Sequence, residues 1–271
     1  MPELPEVETT RRGIEPHLLG RTVTAVVVHQ PRLRRRVPAR LGKELTGQRI
    51  DTVARRGKYL LIGTEAGTLI LHLGMSGSLR IVAGDAPLRP HDHLEFAVDN
   101  GRCLRLHDPR RFGLALWTTR DPLQHVLLSK LGPEPLSDEF SGAHLYAHSR
   151  NRRIAVKPFI MDSHIVVGVG NIYASEALFR AGIDPRRAAG RIARARYQRL
   201  AAAITSTLDD ALRQGGTTLR DYLNSDGEPG YFRLHLNVYE RAAQPCRVCR
   251  TPIRQLRQGQ RSSYYCPNCQ H

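Results

Sequence analysis

The sequence has no apolar run that approaches the ~20 residues of a membrane-spanning helix, and no secretory leader opens it. These two absences argue against a membrane protein and against an exported one, and they predict a soluble protein of the cytoplasm. Acidic residues are also scarce, since Asp and Glu number 25 against 41 Lys and Arg, and none follows Glu240. The formal charge of +16 favours a polyanion as partner, although a basic surface can also serve solubility alone.

Cysteine is sparse, and four of the five residues form two Cys-x2-Cys pairs near the end of the chain. Because sixteen residues separate the pairs and no export signal precedes them, they predict a tetrahedral zinc site rather than disulfides. Four thiolates leave no open position on the metal for water, so the expected role of the zinc is structural. The predicted ligands are Cys246, Cys249, Cys266 and Cys269. Cys103 lies alone in a strand pattern and is expected to be a small buried hydrophobe.

The chain begins Met-Pro-Glu-Leu-Pro-Glu, a start that can carry chemistry. Pro2 is small enough for the initiator methionine to be removed, which would leave a secondary amine next to the carboxylate of Glu3. An α-amino group has a pKa near ~8, so a useful fraction is unprotonated at neutral pH. Pro5 suits a first helical turn, and a helix is predicted by the spacing of Val7, Thr10, Ile14 and Leu18. The alternative interpretation is a stiff, acidic lead into that helix with no catalytic role.

Short strand patterns, separated by glycine and polar turn residues, occupy the first half of the chain. They cover 22–28, 49–56, 59–62, 68–73, 79–82, 94–98, 103–106 and 114–117. Asp99-Asn100-Gly101 is the clearest hairpin turn. Strands of this length and spacing predict a two-layer antiparallel sandwich, with the first helix packed on its edge. Between the first two strands, the basic segment 32–36 is either a solvated loop or a phosphate contact.

Three insertions among these strands are too specific for simple turns. Lys58 stands at the mouth of a strand, either as an ordinary exposed charge or as a phosphate ligand. Met75 lies on a loop between glycines, and Phe112 follows Arg110 and Arg111. An apolar side chain on such a loop either folds back into the core or inserts into a partner, as wedge residues do in DNA-bending proteins.

A proline- and glycine-rich stretch, 131–135, marks a change in composition and is expected to link two domains. Beyond it the apolar spacing is helical, over roughly 141–149, 171–181 and 191–214. The glycines before Asn171 leave backbone N–H groups available at a helix start, where an anion can bind. A polar, glycine-rich connection follows at 215–231, and the segment 253–265 between the cysteine pairs is expected to form a hairpin.

Together these motifs resemble the formamidopyrimidine-DNA glycosylase family, in one colinear order from Pro2 to the last residues. The resemblance rests on Pro-Glu-Leu-Pro-Glu-Val-Glu-Thr at the start, Arg-Gly-Lys-Tyr at 56–59, Gly-Met-Ser-Gly at 74–77, Asp-Pro-Arg-Arg-Phe-Gly at 108–113, Gly-Val-Gly-Asn-Ile-Tyr-Ala-Ser-Glu at 168–176, Pro-Gly-Tyr-Phe at 229–232 and the four cysteines. It implies an α+β multidomain fold. The expected domains are an N-terminal antiparallel β-sandwich with a flanking helix (1–131), a helical helix-two-turn-helix domain (132–238) and a C-terminal four-cysteine zinc finger (239–271).

The resemblance implies a bifunctional base-excision repair enzyme. Such an enzyme removes oxidised purines, 8-oxoguanine and formamidopyrimidines, from duplex DNA through a Schiff base of its N-terminal proline. It then cleaves the abasic strand by β,δ-elimination. The resemblance also implies a cytoplasmic, nucleoid-associated monomer that holds one structural zinc ion and binds double-stranded DNA containing oxidised purines or abasic sites.

The family pattern also implies roles for single residues of this chain. Pro2 would be the nucleophile, Glu3 would shuttle protons, and Glu6 would support the helix start and the flipped nucleotide. The void left by the flipped base would be filled by Met75, Arg110 and Phe112. The expected DNA-binding residues are Lys58, His91, Arg110, Arg111, Lys157, Asn171 and Arg261, of which Lys58 and Arg261 are also expected to act in catalysis. For His91, an exposed loop histidine without such a role is the alternative, and the segment 224–231 would cover the flipped purine.

Two positions depart from the family pattern. Ser163 stands where the family often has Gln, and Glu240 stands where it often has Gly, which places a negative charge at the start of the zinc module. Two other functions stay open, namely the sister class that excises oxidised pyrimidines and a non-catalytic zinc-ribbon DNA-binding protein. Leu4 and the intact Pro-Gly-Tyr-Phe segment favour purines over pyrimidines.

Overall fold

The computed structural model describes residues 2–215 and 236–271. These residues form two compact units. The N-terminal unit contains residues 2–130 and Gly215, and the C-terminal unit contains residues 131–214 and 236–271. The predicted cover at 224–231 lies outside the described residues, as does nearly all of the connection at 215–231.

The N-terminal unit contains two four-stranded antiparallel sheets. Their strands are β1 (Val23–Val28), β2 (Ile50–Arg56), β3 (Tyr59–Thr64), β4 (Gly67–His72), β5 (Ser78–Ala83), β6 (Asp92–Val98), β7 (Arg102–His107) and β8 (Leu114–Thr118). One sheet has the order β1-β6-β7-β5 and the other the order β2-β3-β4-β8. The predicted antiparallel sandwich is therefore confirmed, and Asp99-Asn100-Gly101 joins β6 to β7 as expected.

A single apolar core receives side chains from both sheets. Leu60 and Ile62 of β3 enter it from one sheet, while Leu104 and Leu106 of β7 enter it from the other. Both pairs are spaced by two residues, because side chains that face the same way recur at every second position of a strand. Cys103 is 1% exposed, which confirms the small buried hydrophobe expected from the sequence.

Helix α1 (Leu4–Leu18) closes one edge of the sandwich. It contacts β2 and β5, which are edge strands of the two different sheets, so the predicted placement on the edge is confirmed. Its buried face carries the apolar residues that predicted the helix, namely Val7, Ile14 and Leu18. The start of this helix is thereby fixed to both sheets.

The C-terminal unit is helical up to residue 213 and contains α3 (Gly142–Ser149), α4 (Val156–Ile160), α5 (Asn171–Arg180) and α6 (Arg194–Arg213). The long helix α6 packs on both α3 and α5. The three predicted helices correspond to α3, α5 and α6. The sequence pattern does not predict α4, nor α2 (Leu41–Leu45) of the N-terminal unit, because five residues are too few to show a helical period.

A two-stranded hairpin of β9 (Arg254–Gln258) and β10 (Arg261–Tyr265) lies between the two cysteine pairs, as predicted. It packs on α5 through a small apolar cluster that includes Phe179, Val238 and Ile253. Within residues 2–215 and 236–271, no helix combines the length and the apolarity that crossing a membrane requires.

Candidate functional site

The start of α1 brings three of the predicted site residues together. Pro2 is buried, Glu3 is 2% exposed and Glu6 is 0% exposed. The backbone N–H of Glu3 donates to Oε2 of Glu6 over 2.8 Å, which is half of the capping box formed by these two glutamates. Pro2 therefore lies directly before a firmly capped helix, at the positive end of its dipole, where a protonated amine is disfavoured.

Lys58 lies in the turn between β2 and β3, directly before Tyr59. Arg55 shapes this turn, because its Nη1 donates to the carbonyl oxygen of Gly57 over 2.9 Å. The same guanidinium contacts Glu8 of α1 through Nε over 3.1 Å, so the lysine turn is connected to the helix that carries the chain start. Although burial opposes it, hydrogen bonds from Arg11 and Arg12 hold the pKa of Glu8 below its usual value, and Glu8 stays anionic toward Arg55.

Two loops present the predicted wedge residues to solvent. Met75 and Phe112 are each 41% exposed, so folding back into the core is wrong for both side chains. The guanidinium carbon of Arg110 lies 5.0 Å from the centroid of the Phe112 ring, which groups the cation with the aromatic wedge. A Cβ at Gly74 would lie 2.4 Å from the carbonyl carbon of Phe112, so the two loops touch through their backbones. We call these segments, 72–77 and 108–113, the wedge loops.

Asp108 ties the wedge loops together. Its Oδ2 accepts from the backbone N–H of Gly113 over 2.7 Å, and its Oδ1 accepts from Oγ of Ser76 over 3.2 Å. The carboxylate is fully buried, so both bonds form away from competing water. The sequence prediction quoted Asp108 within its motif but gave it no role. A signal for this role was present in the sequence. Asp108 begins an Asp-Pro loop, and glycine follows five residues later.

His72 is a second residue that the sequence prediction missed. It ends β4, and its Nδ1 accepts from the backbone N–H of Gly74 over 2.9 Å. Burial, together with the positive charges of Lys58 and Arg34, lowers the pKa of His72 to about 4. The neutral imidazole therefore fixes the first turn of the Met75 loop at neutral pH, with Nδ1 as acceptor.

His91, outside both wedge loops, and Arg111, within the second of them, have strained backbone conformations. Their φ angles are 73° and 56°, in the left-handed region that residues with a side chain seldom adopt. The carbonyl oxygen of His91 accepts from the backbone N–H of Asp108 over 3.0 Å, which places this histidine next to the Phe112 loop. The basic segment 32–36 is joined to the same loop, because Arg34 N–H donates to the carbonyl oxygen of Gly113 over 3.2 Å.

In the C-terminal unit, three predicted residues line one pocket of about 390 Å³: Lys157, Asn171 and Arg261. Lys157 is 1% exposed, and its Nζ donates to Oδ1 of Asn171 over 2.7 Å. The same ammonium donates to the carbonyl oxygen of Ser262 over 3.0 Å and to Oγ of Ser263 over 2.8 Å. Lys157 thus connects α4, α5 and β10, and it orients the amide of Asn171 toward the pocket shared with Arg261.

Glu176 organises the chain that leads into the cysteine module. Its buried carboxylate accepts from the backbone N–H groups of Asn237, Val238 and Tyr239 over 2.8 to 2.9 Å. The residue closes the Gly-Val-Gly-Asn-Ile-Tyr-Ala-Ser-Glu motif, but the sequence prediction gave it no role. A glutamate inside an otherwise apolar helical stretch was the available signal.

The four predicted metal ligands lie together. All four sulfur atoms are within 4.8 Å of one another, and no other such group of His, Cys, Asp or Glu occurs among the described residues. Sγ of Cys246 is 4.0 Å from Sγ of Cys269, and Sγ of Cys249 is 3.4 Å from Sγ of Cys266. A tetrahedron with metal–sulfur bonds of ~2.3 Å has edges of about 3.8 Å, so the cluster fits one ion.

Three family models match consecutive stretches of this chain. They are "Formamidopyrimidine-DNA glycosylase N-terminal domain" at residues 1–115, "Formamidopyrimidine-DNA glycosylase H2TH domain" at residues 131–222 and "Zinc finger found in FPG and IleRS" at residues 243–271. Together they cover most of the chain, in the order that the sequence motifs predicted.

A known protein and several solved structures are similar to this chain over its whole length. A formamidopyrimidine-DNA glycosylase of Thioalkalivibrio sulfidiphilus is 59% identical over 270 residues, with 100% of both chains covered. The crystal structure of a Lactococcus lactis FPG mutant with Fapy-dG containing DNA is 33% identical, with a TM-score of 0.93 and 100% of both chains covered. A structure of MutM with DNA containing carbocyclic 8-oxo-G is 33% identical, with a TM-score of 0.92 and the same coverage.

Proposed function

Because this chain belongs to the formamidopyrimidine-DNA glycosylase family, we propose that it is a base-excision repair enzyme acting on oxidised purines in duplex DNA. It removes 8-oxoguanine and formamidopyrimidines and then cleaves the strand at the abasic site. The observation that carries the proposal is the buried start of α1, where Pro2 precedes Glu3 at the capped, positive end of the helix.

Pro2 is the nucleophile in this mechanism once Met1 has been removed. Its secondary amine attacks the sugar carbon bonded to the damaged base, and the base departs with the bonding electron pair. The nitrogen then loses its proton, and its electron pair breaks the bond between the sugar carbon and the ring oxygen, which takes up a proton. The product is an open sugar held as an iminium ion, whose nitrogen carries no proton to lose and so stays cationic. That charge acidifies the adjacent sugar C–H, and loss of this proton expels the 3′ phosphate. A second elimination expels the 5′ phosphate.

Glu3 is the proton carrier, since its carboxyl is buried beside the reacting nitrogen. It protonates the ring oxygen as the sugar opens, and a partly desolvated carboxyl suits that exchange. Glu6 supports both residues, because its carboxylate accepts from the Glu3 N–H and fixes the direction in which the chain enters α1.

The wedge loops keep the target base outside the helix stack. A glycosylase must extrude its base before any group can reach the sugar, and unstacking costs a few kcal/mol. Exposed Met75 and Phe112 fill the void, while Arg110 donates hydrogen bonds to the orphaned partner base. Their exposed fractions support this role, because apolar side chains on two packed loops have no partner in the core.

Phosphate contacts hold the DNA against both units. Lys58 and Arg261 bind phosphates at the lesion and so act in catalysis, and Asn171 contributes a third contact. His91 and Arg111 contact the backbone beside the wedge loops. Lys157 contributes by positioning, since its ammonium already donates to Asn171 and to two groups of β10.

The four-cysteine cluster holds one structural zinc ion in this proposal. Two of the sulfur–sulfur distances, 3.4 and 4.0 Å, lie on either side of the edge expected for a zinc thiolate tetrahedron, and all four sulfurs lie within 4.8 Å of one another. Four thiolate ligands leave no position for a catalytic water. The domains proposed from the sequence are 1–131, 132–238 and 239–271. The protein is a cytoplasmic, nucleoid-associated monomer that binds double-stranded DNA containing oxidised purines or abasic sites.

Borohydride trapping on a duplex with an abasic site tests the nucleophile. We expect a covalent adduct whose digestion places the sugar on the nitrogen of Pro2. Pro2→Gly keeps a weaker primary amine and traps slowly, whereas protein that verifiably retains Met1 does not trap, because its nitrogen is an amide. Mass spectrometry of the N-terminus serves as the control for Met1 removal. Absence of any trapped species between about pH 6 and pH 8 would favour the non-catalytic DNA-binding protein.

Lesion choice is tested by turnover on two duplexes of identical sequence. One carries 8-oxoguanine and the other carries thymine glycol. We expect faster excision of the purine, and a preference for the pyrimidine would assign the chain to the sister class instead.

A further inference from the structure

A second basic pocket lies in the C-terminal unit, apart from the one lined by Lys157, Asn171 and Arg261. It has a volume of about 540 Å³, and three arginines contribute to its wall: Arg152, Arg153 and Arg191. All three side chains are exposed. None of the described residues that line this pocket is acidic.

The pocket is built on a fixed backbone frame. The segment before α4 and the segment before α6 are joined by backbone hydrogen bonds, from Gly190 N–H to the Arg152 carbonyl over 2.9 Å and from Ala189 N–H to the Ile154 carbonyl over 2.8 Å. A Cβ at Gly190 would lie 2.8 Å from the Arg152 carbonyl oxygen, so the close approach requires glycine. Asn151 turns the chain into the pocket with a φ of 61°.

The guanidinium groups of these arginines have no ion-pair or hydrogen-bond partner among the residues that the structure describes. Although burial opposes it, hydrogen bonds from the backbone and the ring of His164, together with the charge of Arg152, lower the pKa of Asp162. Three positive groups around one cavity repel each other, so the arrangement favours an anion that bridges them. Arginine forks match the oxygens of phosphate geometrically.

We propose that this arginine pocket is a second phosphate-binding site and that its ligand is a backbone phosphate of the DNA duplex. The proposal rests on the proposed function only in taking DNA as the polyanion. Arg153 and Lys157 are four residues apart, so their Cα atoms lie within about 14 Å of each other. Because a DNA strand carries one phosphate per ~3.4 Å of axis, the bound phosphate lies within a few nucleotides of the one at Asn171 and Arg261.

The test is the salt dependence of binding to an undamaged fluorescent duplex, measured with the full-length protein. Each phosphate contact contributes about 0.9 to the slope of log affinity against log salt concentration. We expect the combined substitutions R152Q, R153Q and R191Q to lower that slope by about 0.9 or more. The matched control changes three exposed arginines of the N-terminal unit, R21Q, R102Q and R120Q, and should leave the slope unchanged.

Two further arms make the result specific. Replacing the same three residues by lysine keeps the charge and should restore the slope, which shows that the loss is not a folding defect. Borohydride trapping on an abasic duplex, measured at saturating protein, should be unchanged in the glutamine variant, which separates this site from the catalytic proposal.

Three outcomes would overturn the inference. The first is an unchanged slope in the glutamine variant, and the second is an equal fall in the control variant, which would indicate only the net charge. The third is that inorganic phosphate competes with DNA for the wild-type protein but not for the glutamine variant, while the slope of log DNA affinity against log salt concentration is the same for both proteins. That result would assign the pocket to a small free phosphate rather than to the duplex.

Discussion

At the end of β4, one imidazole nitrogen determines how the Met75 loop begins. Nδ1 of His72 accepts from the Gly74 N–H over 2.9 Å, and only the neutral ring offers this acceptor together with an N–H on the other nitrogen. Burial and the nearby charges of Lys58 and Arg34 lower the pKa of His72 to about 4. The loop therefore keeps its anchor throughout the neutral range.

We predict that the N-terminal unit loses stability as the pH falls from about 6.5 toward 4. The unfolded chain takes up a proton at His72 near pH ~6.5, whereas the folded chain resists it down to about 4, so acid favours the unfolded state by up to about 3 kcal/mol. Urea unfolding as a function of pH measures this. His72→Asn keeps an acceptor and should flatten the dependence, and an equally steep profile in that variant would assign it to other groups.

Glu240 occupies a backbone conformation that suits glycine. Its φ is 55°, and a residue with a Cβ costs about 1 kcal/mol there. We predict that Glu240→Gly stabilises the C-terminal unit by about 1 kcal/mol and tightens DNA binding by removing a negative charge. Calorimetry and DNA titration measure the two effects. Glu240→Gln separates them, since it should tighten binding without raising stability.

At the scale of elements, some features of the wedge loops were predictable from the sequence and others were not. Their glycines and apolar tips are local features, so the residues alone identified both loops as unusual, but they left burial in the core and insertion into a partner as alternatives. The contact between the loops could not be predicted, because it depends on the strand order. β4 pairs with β8, and this register carries His72 opposite Leu114 and so sets the two loops side by side.

We predict that Gly74→Ala uncouples the wedge loops. The new methyl group would lie 2.4 Å from the Phe112 carbonyl carbon, and a misplacement of the proposed wedge residues is expected to lower turnover about 10- to 100-fold. Single-turnover excision of 8-oxoguanine measures the effect. Gly101→Ala is the matched control, because Gly101 also has a positive φ of 76° but nothing lies within 4 Å of its Cβ position. Equal losses in both variants would point to backbone strain instead.

At the scale of the whole molecule, the four-cysteine cluster and the pocket lined by Lys157, Asn171 and Arg261 are connected. The Lys157 ammonium donates to two groups of β10, and the cysteine pairs hold the hairpin to which β10 belongs. The spacing of the cysteines was enough to predict the cluster. The connection of this cluster to Asn171 was not predictable. It depends on the buried Lys157, whose ammonium bonds Ser262 more than 100 positions later in the chain.

We predict that Cys249→Ser loses the metal and weakens DNA binding, while the N-terminal unit stays folded because it has its own core. Metal analysis, DNA titration and limited proteolysis measure the three parts. Cys103→Ser is the control, since it removes a thiol that belongs to the N-terminal unit and should retain metal and affinity. Wild-type affinity in a variant shown to contain no metal would contradict the connection described here.

The Asp108 carboxylate also has a consequence for how undamaged DNA is searched. In the proposed mechanism, the methionine and the phenylalanine would enter or leave a base step in a single event, because one side chain fastens both loops. Interrogation of each base pair would then be all-or-none, with no half-inserted pause on either strand. Such an enzyme would move along DNA without partial insertion and would stop only at a weakened base pair, where both loops can insert together.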